Sequence, residues 1–182
     1  MVLLTGCSLR HSKAYPPPIT QRLIDDVALG DENTANTALL LLSHIALDDE
    51  AIKSLNEIYA QEPPLLKKLL LVYTLYNRTQ EIKYFNDFIE LYPAGEEQSA
   101  VWDLRGKTDY VHVTSPLQEQ LSYFALLDDS AFKKLLSGYK FADGADAESL
   151  VDQITRIYEV KPDLVLDELK RENIEIMGIN KK

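Results

Sequence analysis

Few side chains in this chain could do covalent or acid–base chemistry, and they are far apart. Cys7 is the only cysteine, and it stands directly behind Leu4-Thr5-Gly6. A lone thiol there, behind the small residues Thr5 and Gly6, is the chain's one candidate sulfur nucleophile. The histidines are His11, His44 and His112. With one terminal Cys they offer no zinc spacing, and no metal or other cofactor is expected. His44, among Leu41, Leu42 and Ile45, reads as a core or half-buried residue. His112 lies three residues before Ser115, but Ser115 reads as a helix N-cap rather than a nucleophile. Asp143-Gly144-Ala145-Asp146-Ala147-Glu148 lacks the alternating oxygens of a helix–loop–helix calcium site and reads as a loop and cap. The pairs Asp25-Asp26, Asp48-Asp49 and Asp128-Asp129 are placed at helix ends, where they complement the dipole. No catalytic residue is expected. Most of the ten tyrosines suit helix crossings. Trp102, with Tyr110 and His112 in the irregular stretch that follows it, is the expected exposed binding feature.

Leu4-Thr5-Gly6-Cys7 resembles the lipobox of bacterial lipoproteins. The resemblance covers four residues and concerns location. It implies cleavage before Cys7, diacylglycerol on the thiol and acylation of the new amino group. Three chains hold firmly, at ~0.8 kcal/mol per buried methylene. Ser8, where Asp would favour inner-membrane retention, implies sorting to the outer membrane, on its periplasmic face. A signal peptide carries a basic region and an apolar run of about 7–15 residues. Only Val2, Leu3 and Leu4 stand before the box, so Met1 is read as a late start and residues 1–6 as the remnant of a signal peptide.

A length of 182 residues suits one domain, and 46% hydrophobic residues suffice for a core. The net charge of −10 and pI near 4.8 oppose binding to nucleic acid, which requires a basic stripe. The same charge opposes electrostatic docking on anionic lipid, so a membrane partner must be reached through the covalent anchor. A lipidated sole Cys is also no liability in an oxidising periplasm.

The elements that would carry any site read as helices. Residues 7–19 form a Pro-rich tether ending in Pro16-Pro17-Pro18. A single all-helical domain is expected over 20–182. Thr20 is expected to cap a first helix that Gly30 ends, and a second runs over 32–47. Asp48 or Asp49 caps a third, which Pro63-Pro64 stops. The next helix, around Leu65–Tyr76, is apolar on nearly all sides and belongs at the centre. Thr79 caps a helix stopped by Pro93, and 95–104 is helical. Tyr110–Val113 is a loop or one short strand. Ser115-Pro116-Leu117-Gln118 has the arrangement of a capping box with Pro at the first helical position. Gly138, Asp146 and Pro162 punctuate the remaining helices, and the fold class is all-α.

A longer spacing overlies these helices. Ile58-Tyr59 with Pro63 and Leu65 recurs as Ile157-Tyr158 with Pro162 and Leu164, 99 residues on. Leu55, Phe88, Leu121 and Ile154 keep steps of 33, as do Ala51, Tyr84, Leu117 and Leu150. Two helices per period of about 33 residues mark helix-hairpin arrays. The pattern resembles a degenerate tetratricopeptide-like repeat, departing from it at Tyr73, where that family has Gly or Ala, and in the second unit, which lacks its Pro. The alternative is an irregular helical bundle whose regular helix lengths produce the same spacing. The layout resembles lipoproteins that act as outer-membrane assembly factors or pilotins. The resemblance implies a non-catalytic envelope scaffold that binds a protein partner, and the acidic charge suits a basic one. Two other functions suit a small acidic helical chain: an immunity-type inhibitor, or an envelope enzyme acting on peptidoglycan.

Overall fold

The computed structural model describes residues 17–102, 104, 107–108 and 115–179. Over them the chain is an all-α array of ten helices: α1 (Pro17–Leu29), α2 (Glu32–Leu42), α3 (Asp49–Tyr59), α4 (Leu65–Thr79), α5 (Ile82–Leu91), α6 (Ser99–Trp102), α7 (Pro116–Ala125), α8 (Asp129–Gly138), α9 (Gly144–Val160) and α10 (Pro162–Glu172). Short 3-10 segments, Gly95–Gln98 and Tyr139–Phe141, precede α6 and follow α8. None of the described helices is long and apolar enough to cross a membrane.

Local chemistry explains four of the helix starts. The Asp31 carboxylate accepts from Thr34 N–H at 2.8 Å and opens α2. Asp48 accepts from Ala51 N–H at 2.9 Å and opens α3. Asp128 accepts from Ser130 N–H at 2.7 Å and opens α8. Each satisfies a donor that the first helical turn leaves free. Pro162 occupies the first turn of α10, where its missing N–H costs nothing.

Several boundaries differ from the sequence expectation. α1 begins at Pro17, so Thr20 lies inside it rather than capping it. Proline's fixed φ is compatible with a first turn, and a run of prolines can start a helix as well as precede one. Asp25 and Asp26 then fall within α1 and not at its ends. α2 stops at Leu42, and His44 is exposed beyond it rather than buried. Thr79 ends α4. Its hydroxyl donates to Leu75 O at 2.9 Å, a bond available only inside a helix. Ser115 occupies the N-cap of α7 but makes no side-chain capping bond, and its hydroxyl is buried. The capping box read from the sequence is therefore not closed from its Ser side.

Helix α4 is the centre, as its all-round apolarity predicts. Leu69, Leu70, Leu71, Val72, Tyr73, Thr74 and Leu75 are consecutive and buried, and α4 packs against α2, α3, α5 and α7. The Thr74 hydroxyl lies 2.8 Å from Leu70 O and 3.0 Å from Leu39 O, which lets a polar residue sit fully buried beside α2. Neighbouring helices form hairpins α1–α2, α3–α4, α4–α5, α7–α8 and α9–α10. Alternate helices also meet. α1 packs on α3, α5 on α7, and α7 on α9. Two hydrogen bonds join α3 to α5: Tyr59 to Asp87 and Tyr84 to Asn56, at 3.1 and 2.6 Å. Helices α1, α3, α5, α7 and α9 thus stand in one row. The stepped residues Leu55, Phe88, Leu121 and Ile154 all face the core with no exposed surface, and Ala51, Tyr84, Leu117 and Leu150 are buried with them.

A segment after α10 packs back on the array. Asn173 turns the chain in a left-handed conformation (φ 52°), and Ile174 N–H reaches Leu169 O at 2.9 Å. Ile174, Ile176 and Ile179 are then buried in the common core.

Candidate functional site

Of the residues singled out in the sequence, Cys7, Tyr110 and His112 lie outside the described residues. Trp102 is described, and it corrects the expectation of an exposed contact: it is only 5% exposed. The cause is Gly138 on α8, whose φ of −78° is ordinary helical backbone. The glycine is needed for space. A Cβ there would stand 2.7 Å from Trp102 Cζ2 and 2.6 Å from Gln98 Cδ. Without one, the indole and the Gln98 side chain come close against the helix backbone.

This junction is polar as well as tight. Ser137 Oγ accepts from Gly95 N–H at 2.9 Å and from Gln98 Nε2 at 3.2 Å. Gln98 Nε2 also donates to Lys134 O at 2.5 Å. Tyr92 is buried beside Trp102. Burial pushes its hydroxyl far above the usual phenol range, and the Trp102 indole opposes that only in part. Tyr92 OH, Trp102 Nε1 and Gln98 Oε1 are all buried without a well-formed hydrogen bond. Two donors and one acceptor gathered there make a polar lining, held neutral, and not an acid–base pair. Gly138 was legible in sequence only as a helix terminator. Its steric role depends on Gln98 and Trp102, which are 40 and 36 residues away in the chain.

A second cluster was not anticipated. The Lys68 and Lys83 ammonium groups sit 5.5 and 5.7 Å from the centre of the Tyr59 ring, and Lys83 is 5.3 Å from that of Tyr84. Lys68 is also paired with Glu62. Desolvation, then the bond to Asp87, raises the Tyr59 hydroxyl. Cations over aromatic faces with carboxylates close by are mutually satisfied, so this cluster braces α3, α4 and α5.

Three other shifted groups have packing or capping roles. Hydrogen bonds from Thr34 hold Asp31 low, and those from Ser130 hold Asp128 low. Lys134 is lowered by burial and donates to Ile89 O and Glu90 O at 2.6 and 2.9 Å, closing the C-terminal end of α5. No group of three or more His, Cys, Asp or Glu among the described residues could hold a metal ion. An open groove of about 350 Å³ runs beside α10, lined by Leu166, Leu169, Lys170, Asn173, Ile174 and Glu175.

Comparison with protein-family models, with curated proteins and with solved structures found no match to this chain.

Proposed function

We propose that the chain is an envelope lipoprotein, anchored through acylated Cys7 on the periplasmic face of a bacterial outer membrane, whose helical array holds a protein partner as an assembly or pilotin-type factor. The observation that carries the reading is the tetrapeptide Leu4-Thr5-Gly6-Cys7 around the sole cysteine. Residues 8–16, between Cys7 and the start of α1 at Pro17, have the length of a spacer that such an anchor uses. Binding rather than catalysis is supported by the perturbed groups. The shifted carboxylates cap helices, the shifted tyrosines are desolvated by packing, and Lys134 closes a helix. The row of odd-numbered helices, with residues at steps of 33 buried on equivalent faces, supports a degenerate tetratricopeptide-like ancestry.

The test is metabolic labelling with palmitate in a Gram-negative host, expressing the protein from its native gene. Label should enter the wild type, fractionate with outer membrane and vanish in Cys7→Ala. A soluble, unlabelled wild type overturns the anchor, and a cytoplasmic helical adaptor becomes the better reading.

A further inference from the structure

Two turns of the array lie side by side at one end. Lys161, after α9, reaches Asp129 at the start of α8, with Nζ 2.8 Å from Oδ1, and α7 packs on both α8 and α9. Each turn holds an apolar side chain in water. Leu127, between α7 and α8, is 72% exposed, and Val160, at the end of α9, is 64% exposed. Tyr123, one helical turn before Leu127, is 53% exposed. Leu127 and Val160 are themselves 33 residues apart, so the fold presents an apolar tip at the same point of successive hairpins.

The rim of this edge is acidic. Asp129, Glu159 and Asp163 are exposed and Asp128 is half-buried. The nearby cations are engaged: Lys161 with Asp129, and Arg156 with Asp152 one turn back on α9. A second copy of the chain would set like charges against each other across the contact, and an anionic lipid or phosphate would be repelled. The complementary surface is an apolar stripe flanked by Lys and Arg, the form of a basic amphipathic helix.

We infer that the paired turns carrying Tyr123, Leu127 and Val160 dock a basic amphipathic segment of the protein partner. Its apolar side chains cover those three residues, and its cations meet Glu159 and Asp163. The inference rests on the partner-binding function proposed above and names the surface and the chemistry that would serve it.

The first test uses an amphipathic Leu/Lys helical peptide and its Leu/Glu counterpart, titrated against the purified protein by fluorescence anisotropy. The Leu/Lys peptide should bind saturably and the Leu/Glu peptide should not. Leu127→Ser with Val160→Ser should weaken binding at least tenfold, while Ile82→Ser, at an exposed apolar position on α5 (71% exposed), leaves it unchanged. Glu159→Gln with Asp163→Asn should weaken binding and flatten its salt dependence. Unaltered binding by the Leu127/Val160 double variant overturns the inference, because the attraction is then diffuse charge. A second test separates this surface from the function itself. A photo-crosslinking residue is placed at 127, 160, 29 or 82 in cells. Adducts at 127 and 160 that the Leu/Lys peptide competes away support the docking edge. Adducts at 29 or 82 alone overturn the edge and leave partner binding standing, and adducts at none of the four overturn the edge.

Discussion

Gly138 and Tyr92 show how single positions in one junction respond in opposite directions to small changes. Gly→Ala inside a helix ordinarily stabilises by up to about 1 kcal/mol. At Gly138 the added methyl meets the Trp102 ring and the Gln98 side chain. Gly138→Ala should therefore destabilise by about 1–3 kcal/mol, read as a lower urea midpoint with unchanged slope. An unchanged or higher midpoint would show that the indole yields easily. Tyr92→Phe removes a buried hydroxyl that lacks a well-formed bond. Deleting such a group is expected to be neutral or stabilising, since leaving it unmet costs about 1–3 kcal/mol. The pH dependence has a definite sign. Burial raises the Tyr92 hydroxyl above its ordinary value of 10.0, and Tyr59, Tyr73 and Tyr84 are raised as well, chiefly by desolvation. The folded state then keeps protons that the unfolded chain releases, so this stability is present below pH 10 and is lost as pH rises beyond it. Tyr92→Phe should shallow the alkaline loss of stability measured by circular dichroism. A wild-type midpoint flat well above pH 10 would contradict the assignment.

At the scale of elements, the period-3.6 pattern was enough to place most helices, because an amphipathic stripe must bury one face wherever the helix sits. The ends were harder, since several competing partners can satisfy a terminal N–H or C=O. Asp48 caps as the sequence suggests and Asp128 caps as well, but Thr79 bonds within α4 and Ser115 makes no side-chain cap. A cap supplied by a remote residue is invisible in local sequence. Lys134 closes α5 from 44 residues away, through Glu90 O. Lys134→Met keeps the aliphatic stem and removes the charged donor. It should cost about 1–3 kcal/mol and loosen the end of α5, measured as faster amide exchange near Tyr92 than in the wild type. Equal exchange there would show that water replaces the ammonium.

At the scale of the whole molecule, class and centre were legible because α4 is apolar on all sides and no long stretch alternates as a strand would. The burial of Ile174, Ile176 and Ile179 was not legible, since their spacing fits neither a helix nor a single strand face. The burial of Trp102 is hidden from the sequence for a related reason: its neighbours come from α8, and no local signal reports them. Charge acts globally too. A net charge of −10 on 182 residues repels itself in the compact state. Raising sodium chloride from about 0.01 to 0.15 M shortens the Debye length from ~30 to ~8 Å and should raise the Tm. A falling Tm would mean that favourable ion pairs such as Lys161–Asp129 outweigh the repulsion.

The seven consecutive buried residues of α4 give that helix a distinctive place in time as well as in space. Its inner amides are covered by α2, α3, α5 and α7 together, so partial opening of any one hairpin leaves most of that cover in place. Deuterium should enter the amides of Leu69–Leu75 only when the whole array comes apart. Their exchange is thus a built-in clock for global opening, against which the faster breathing of the outer hairpins can be timed.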